Sequence, residues 1–291
     1  MFSNKLYSPL RYPGGKASFA PYIASIMKGN NLSKGHYWEP YAGGAGVALY
    51  LLFEGHASHI HINDADPAIF AFWTSVIKYP LELLELIEST PISIEEWFKW
   101  RAVLRGELPA SIVERGFATL FMNRTNRSGI LKAGVIGGKN QSGIYKLDAR
   151  FKKNVICSRI KQIAKHSSNI SVYCEDSLEL LNNLSNNLPE KSLIYLDPPY
   201  YVKGKGLYRN YYEHDDHVKI ANVLQNEDIQ WNWVVSYDNT DEICKMYEMS
   251  HSLAYGLNYS AQRSYVGNEV MFFSKSLKVA YEVLPHAKSC A

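Results

Sequence analysis

His36-Tyr37-Trp38-Glu39-Pro40-Tyr41-Ala42-Gly43-Gly44-Ala45-Gly46 decides how this chain folds. His36 to Glu39 is strand-like and enters a glycine-rich turn. Val47-Ala48-Leu49-Tyr50-Leu51-Leu52-Phe53 then reads as a buried helix ending at Gly55. Ser58-His59-Ile60-His61-Ile62-Asn63 is a second short strand and stops at Asp64. Strand, glycine turn, helix, strand and acid make a βαβ unit. Glycines let backbone N–H groups approach a ligand closely. Asp64 lies 20 residues past Gly44, the spacing of an acid that binds ribose hydroxyls. A nicotinamide dinucleotide enzyme would show the same pattern, and so would a turn that only packs tightly.

Outward from this unit, residues 67–123 carry apolar positions at helical spacing, for example Leu81, Leu84 and Ile87, or Phe117, Leu120 and Phe121. A basic, turn-rich segment follows over 124–150, then a helix from about Asn154 to Lys165. Strands resume at Ile170 to Cys174, Ser192 to Leu196 and Asn232 to Tyr237, with helices over His214–Gln225 and Asp241–Met249. The last two strands, His251 to Gly256 and Asn268 to Ser274, read as a hairpin. The expected fold is an α/β sheet with helices on both faces and one inserted, mostly helical domain. The expected division is 1–75 with 167–280 for the sheet domain, 76–166 for the insertion and 281–291 for a tail. Asp64, Asp197 and Asp238 all end strands, where ligands bind in such sheets.

Of 291 residues 46% are apolar, enough for a sizeable core, and no apolar run is long enough to span a membrane. The N-terminus lacks the apolar run of a secretory signal. The four cysteines are scattered and join no histidines at metal-binding spacing, so no metal is expected, and the thiols suit a reducing cytoplasm. Between Lys99 and His166 stand 15 basic and 3 acidic residues, a local balance of +12 within a chain of +3. A basic block in an otherwise acidic protein suggests a nucleic-acid face, although a solvated helical surface has the same charge.

Asp197-Pro198-Pro199-Tyr200 is the sharpest local signal. Two prolines directly after a buried strand fix φ and donate no hydrogen bond, so the turn holds its carbonyls rigidly. An exocyclic aromatic amine needs such a frame, because its lone pair is delocalised into the ring. Acceptors at Asp197 and the Pro198 carbonyl would draw its two hydrogens and localise that lone pair. Tyr200 would stack on the base. Arg11-Tyr12-Pro13-Gly14-Gly15-Lys16 is not a phosphate-binding P-loop. Lys16 there suits a carboxylate, and Tyr12 a sulfonium.

These segments, with Glu39 to Gly46 and Asn63-Asp64, resemble the Dam-type adenine-specific DNA methyltransferases, in the same order and over about Leu10 to Ser274. The resemblance implies a Rossmann-like methyltransferase sheet, S-adenosylmethionine as donor and double-stranded DNA as substrate, with base flipping. It implies a catalytic set of Asp197, Pro198, Pro199 and Tyr200. It implies a cofactor pocket of Tyr12, Lys16, Glu39, Tyr41, Gly43, Gly44, Gly46, Asp64, Asp176 and Asp197. A bacterial cell or a phage-infected host is the implied setting. Some members work beside a separate cognate restriction endonuclease, and others are solitary or phage-borne.

The expected DNA-contacting residues are Arg124, Asn126, Arg127, Lys139, Asn140, Gln141 and Lys146, since Arg reads guanine and Asn or Gln reads adenine. The apolar stretch from Ile130 to Gly137 is either a wedge or a satellite core. Tyr201 to Tyr212, rich in glycine and lysine, is expected to close over a flipped base. N4 of cytosine would be served by the same chemistry. A non-enzymatic DNA-binding protein would explain the insertion but leave the Asp197 turn idle.

Overall fold

The computed structural model describes residues 6–11, 16–184, 187–202, 212–228, 230–259 and 265–279. In chain order a 3-10 turn, Lys16–Phe19, leads into α1 (Ala20–Gly29), β1 (Gly35–Glu39), α2 (Gly46–Phe53) and β2 (Ala57–Asn63). Next come α3 (Pro67–Lys78), α4 (Pro80–Ser89), α5 (Ile94–Leu104), α6 (Ile112–Thr125) and α7 (Lys153–Ala164). The remainder is β3 (Ile170–Tyr173), α8 (Ser177–Leu184), β4 (Ser192–Leu196), α9 (His214–Leu224), β5 (Trp233–Asp238), α10 (Asp241–Met246), β6 (His251–Tyr259) and β7 (Tyr265–Phe273). Helices α1 and α8 are additions to the elements read from sequence.

The strands form one seven-stranded sheet in the order β3-β2-β1-β4-β5-β7-β6. β1 pairs in parallel with β2 and β4, and β4 with β5. β7 runs antiparallel between β5 and β6. A dinucleotide-binding sheet runs 3-2-1-4-5-6. The reversed strand inserted before the sixth makes this the Rossmann-like methyltransferase variant. Every residue of β4 and β5 is buried, as central strands covered on both faces must be. Leu180 and Leu181 of α8, Ile220 and Leu224 of α9, and Leu196, Val235 and Phe272 of the sheet form one apolar layer.

The chain divides into two compact units. The first holds Lys16–Ala65 and the described residues from Tyr173 onward; the second holds Asp66–Val172 and the segment beginning at Tyr7. The second begins at Asp66 rather than at 76 because α3 packs along α6. A Cβ on Gly116 would lie 2.2 Å from Ser75 Oγ and 2.7 Å from the Ala71 carbonyl, so the two helices meet at a glycine. The Thr119 hydroxyl donates to the Ala68 carbonyl at 3.0 Å. Asp66 caps α3 through the Ala68 N–H, and Ser111 with Glu114 forms a capping box on α6. Among the described residues no helix is long and apolar enough to cross a membrane.

Candidate active site

The glycine turn is fastened at three points within the first unit. Gly43 takes φ +45° and Ala45 φ +47°, so the chain reverses through left-handed backbone into α2. Gly43 N–H donates to Asp64 Oδ2 at 2.9 Å, and Ala42 N–H to the Asn63 carbonyl at 2.8 Å. Asn63 Nδ2 donates to the Pro40 carbonyl at 2.9 Å and to the Glu175 carbonyl at 3.0 Å. The ends of β1, β2 and β3 are thereby locked together. Gly46 has a different reason to lack a side chain: a Cβ there would meet Ala17 Cβ at 2.8 Å.

Glu39 is buried where β1 ends. Its Oε1 accepts from Tyr37 at 3.0 Å and from Ala48 N–H in the first turn of α2 at 3.2 Å. Its Oε2 is buried with no partner among the described residues. Burial pushes this carboxyl up to about 8, against the two hydrogen bonds and with help from the Asp197 charge.

Lys16 is 4% exposed, and its ammonium sits between two carboxylates. Glu269 Oε2 is 2.9 Å away and Asp197 Oδ1 3.4 Å. Lys16 also donates to the Tyr200 hydroxyl. Burial opposes its charge, but Asp197 and Glu269 prevail, so its pKa lies above the ordinary lysine range. Glu269, on β7, accepts from Tyr200 at 2.5 Å and from Tyr255 at 2.8 Å as well. Asp197 Oδ1 accepts from Ser236 Oγ at 2.8 Å. Burial raises the Asp197 carboxyl, Lys16 lowers it, Glu269 raises it and Ser236 lowers it; the balance is upward. Both contacts from described residues fall on Oδ1, and the Asp197 side chain keeps 24% of its surface exposed.

The structure thus brings Lys16, Glu39 and Asp197 into one electrostatic group. It adds Glu269, Ser236, Tyr195 and Tyr255, which sequence reasoning missed. Their signal was faint: a lone Glu just ahead of the apolar run Val270-Met271-Phe272-Phe273 in the last strand. Tyr200 is placed differently from expectation. Its ring is 7% exposed and its hydroxyl is drawn inward by Lys16 and Glu269, so it offers little face to a base. Asp238 also ends a strand, but both its oxygens are engaged, by the N–H groups of Tyr201 at 2.9 Å and Val202 at 3.0 Å. Asp176 Oδ1 caps α8 through Leu178 N–H at 2.8 Å. Tyr41 donates to the Tyr212 hydroxyl at 3.0 Å. Tyr12 and the loop 203–211 lie outside the described residues.

In the second unit the expected DNA-contacting residues divide. Arg124 is 9% exposed; its guanidinium donates to the Pro9 carbonyl through Nε and Nη2. Burial, then Arg159 and Arg11, lower its pKa to about 10. Asn126 is fully buried, accepting from Trp97 Nε1 at 2.7 Å and donating to the Ile130 and Leu131 carbonyls. Gln141 pins its own loop through the Ile136 and Gly138 carbonyls and Leu147 N–H. Arg127, Lys139, Asn140 and Lys146 are exposed. Val135 is buried and bridges Asn126, so the stretch around it is satellite core. The exposed apolar tip is instead Ile144, 95% exposed, with Tyr145 at 68%.

A parallel sheet with one reversed strand, and an Asp-Pro-Pro-Tyr turn where β4 ends, defines a methyltransferase. The chain belongs to the D12 class N6 adenine-specific DNA methyltransferase family, whose model matches residues 12–261. It is 24% identical over 262 residues to the type II methyltransferase M.MjaIII of Methanocaldococcus jannaschii, covering 82% of this chain and 87% of the relative. Two solved structures align more loosely. PH1948 of Pyrococcus horikoshii is 11% identical with TM-score 0.41, over 93% of this chain and 87% of its own. The rRNA methyltransferase AviRa of Streptomyces viridochromogenes is 12% identical with TM-score 0.38, over 91% and 87%. The fold assignment rests on strand order, not on these alignments.

Proposed function

We propose that this enzyme transfers a methyl group from S-adenosylmethionine to N6 of adenine in double-stranded DNA, at a base turned out of the duplex. One observation carries the reading: Asp197 gives a single oxygen to Lys16 and Ser236 and remains partly exposed beside a rigid Pro-Pro turn. The other oxygen and the Pro198 carbonyl would accept the two amine hydrogens and localise the nitrogen lone pair. The rate comes from positioning and electrostatics. The proton leaves after transfer, and the raised Asp197 carboxylate is suited to receive it.

The donor's charge fits this pocket. Asp197 and Glu269 share one ammonium, and Glu39 adds a carboxyl oxygen without a partner among the described residues, so the pocket is lined by carboxyls. When bound, S-adenosylmethionine supplies an electrophilic methyl on a cationic sulfur. Asp64 would hold the ribose, and the Gly43–Gly44 backbone would admit the donor closely. Tyr41, Gly46, Asp176 and Tyr12 complete the proposed pocket. The insertion, with Arg127, Lys139, Asn140 and Lys146, would bind DNA. As in a type II system, a separate restriction endonuclease would cut the unmodified site.

Long-read sequencing of DNA from cells expressing the protein tests this, with Asp197→Ala as control. N6-methyladenine in one short motif, absent in the control, is the expected result. Methylation at cytosine N4 would keep the chemistry and change the substrate. Unmodified DNA would overturn the reading.

A further inference from the structure

We propose that Glu269 is a positioning residue for methyl transfer: by taking the Lys16 ammonium to itself, it leaves the Asp197 carboxylate free to accept the hydrogens of the target amine. The inference rests on the role proposed above for Asp197 and concerns a residue on another strand.

The argument starts from distances. Lys16 stands closer to Glu269, at 2.9 Å, than to Asp197, at 3.4 Å. A buried ammonium facing a single carboxylate would form a tight pair with it, because an unpaired buried charge is costly. Asp197 would then be an ion-pair partner and a poor acceptor. Glu269 changes that balance by its position, nearer to the ammonium than Asp197 is. It is fully buried, lies directly opposite Tyr255 across the β6–β7 ladder, and accepts from Lys16, Tyr200 and Tyr255. Three donors thus converge on its two oxygens and fix the carboxyl in place. Its register neighbour on the other side is Asp238 of β5, one residue beyond Tyr237 and two beyond Ser236. β7 therefore connects the donor that holds Asp197 to the acceptor that holds Lys16. The charged and titratable groups around the cluster are Lys16, Asp197, Glu39, Tyr37, Tyr195, Tyr200 and Tyr255.

The consequence of removing the Glu269 charge is specific. Lys16 would move fully onto Asp197, which would lose both its like-charge neighbour and its freedom. Proton affinity and acceptor strength at Asp197 would fall together. A residue that only filled space would change neither.

The test is steady-state transfer from methyl-labelled S-adenosylmethionine to duplex DNA free of N6-methyladenine, across pH, for the full-length protein. Wild type and Asp197→Ala are run first. Activity in the former and loss in the latter support the underlying reading, and any other pattern overturns that reading rather than this inference. Glu269→Gln is expected to lower kcat about tenfold, keep KM for the donor within about threefold, and move the acid limb of the rate profile to lower pH. Combined with Lys16→Gln, the two losses should not add, because they act on one interaction. Wild-type kcat in Glu269→Gln, a lowered kcat with an unmoved acid limb, or strictly additive losses would overturn the proposal. If Glu269→Gln does not fold by circular dichroism, Tyr255→Phe takes its place. It removes one hydrogen bond to the same carboxylate and no charge, and should lower kcat about threefold at unchanged donor KM. Unchanged kcat there would also overturn it.

Discussion

Ser236 donates its hydroxyl to Asp197 Oδ1 at 2.8 Å. The Tyr195 hydroxyl meets the same Ser236 oxygen at 3.0 Å, so the serine is oriented from the next strand. This bond lowers a carboxyl that burial raises. In the proposed mechanism the ionised form of Asp197 is the acceptor, so anything that raises its pKa should move the acid limb of activity upward. Ser236→Ala should therefore shift that limb to higher pH and lower transfer near neutrality by about three- to tenfold. Asp197→Ala should lower it by about two orders of magnitude or more at every pH. Rate–pH profiles of the two variants check both, and an unmoved limb in Ser236→Ala would remove the serine from the mechanism.

Glu39 makes a stability prediction with a definite sign. Its folded pKa of about 8 stands above the ordinary glutamate value. A carboxyl raised in this way contributes stability that is complete below the unfolded pKa, about 4.3. That stability is lost as pH rises through the folded value, about 8. Glu39→Gln stays neutral throughout. Without the donor, its Tm should match wild type near pH 4 and exceed it by about 2–6 °C at pH 8. Scanning calorimetry across this range would show a growing gap, and a constant offset would contradict the assigned burial. The same variant should bind the donor more weakly by equilibrium dialysis.

Arg124 and Arg127 should part company. Arg124→Ala removes both buried hydrogen bonds to the Pro9 carbonyl and should destabilise the fold by about 2–4 kcal/mol in urea unfolding. Arg127→Ala should leave stability within about 0.5 kcal/mol but reduce the salt slope of DNA binding by about 1. Lys139→Ala and Lys146→Ala belong with Arg127. Equal salt slopes in wild type and all three exposed variants would move the DNA face elsewhere.

Ile144 and Tyr145 stand out from the second unit beside Lys146, and an exposed apolar pair is normally a contact surface. Replacing both with serine should leave urea unfolding unchanged within about 0.5 kcal/mol. It should weaken binding to duplex DNA about tenfold or more, read by fluorescence anisotropy. Unchanged affinity would show that the tip faces solvent in the complex.

Asp238→Asn tests the turn after the Asp-Pro-Pro-Tyr tetrapeptide. The neutral amide is a weaker acceptor for the N–H groups of Tyr201 and Val202. kcat should fall about threefold or more while the dissociation constant for the donor stays within about twofold. A change in donor affinity alone would place Asp238 in the cofactor pocket instead.

The strands, the glycine turn and the Asp197 turn were legible in sequence because each is a local pattern: a short apolar run closed by glycine, proline or acid. Helices α4 and α6 were legible from their 3.6-residue spacing and α7 as a segment, whereas α3 and α5 were read only as part of one helical stretch. Glu269 was not, because its importance depends on β7 running backwards between β5 and β6, and strand order has no local signature. Arg124 and Asn126 misled for the converse reason. Their residue types suit DNA bases, but the Pro9 carbonyl and Trp97 Nε1 lie far from them in sequence and claim them in the fold. Asp238 shows the same ambiguity at a strand end, where an acid serves a ligand or a backbone equally well by pattern.

β7 is the last described element of the chain, so the charge cluster is completed by parts far apart in sequence. Lys16 precedes every described strand and Glu269 lies in the last of them, yet they share one buried carboxylate–ammonium contact. Synthesis proceeds from the N-terminus, and each part folds as it emerges. A nascent chain that already shows its glycine turn and its Asp197 turn still lacks the strand that finishes the charge cluster. Until β7 is in place, Lys16 has Asp197 but not Glu269 to pair with, and the cluster is incomplete.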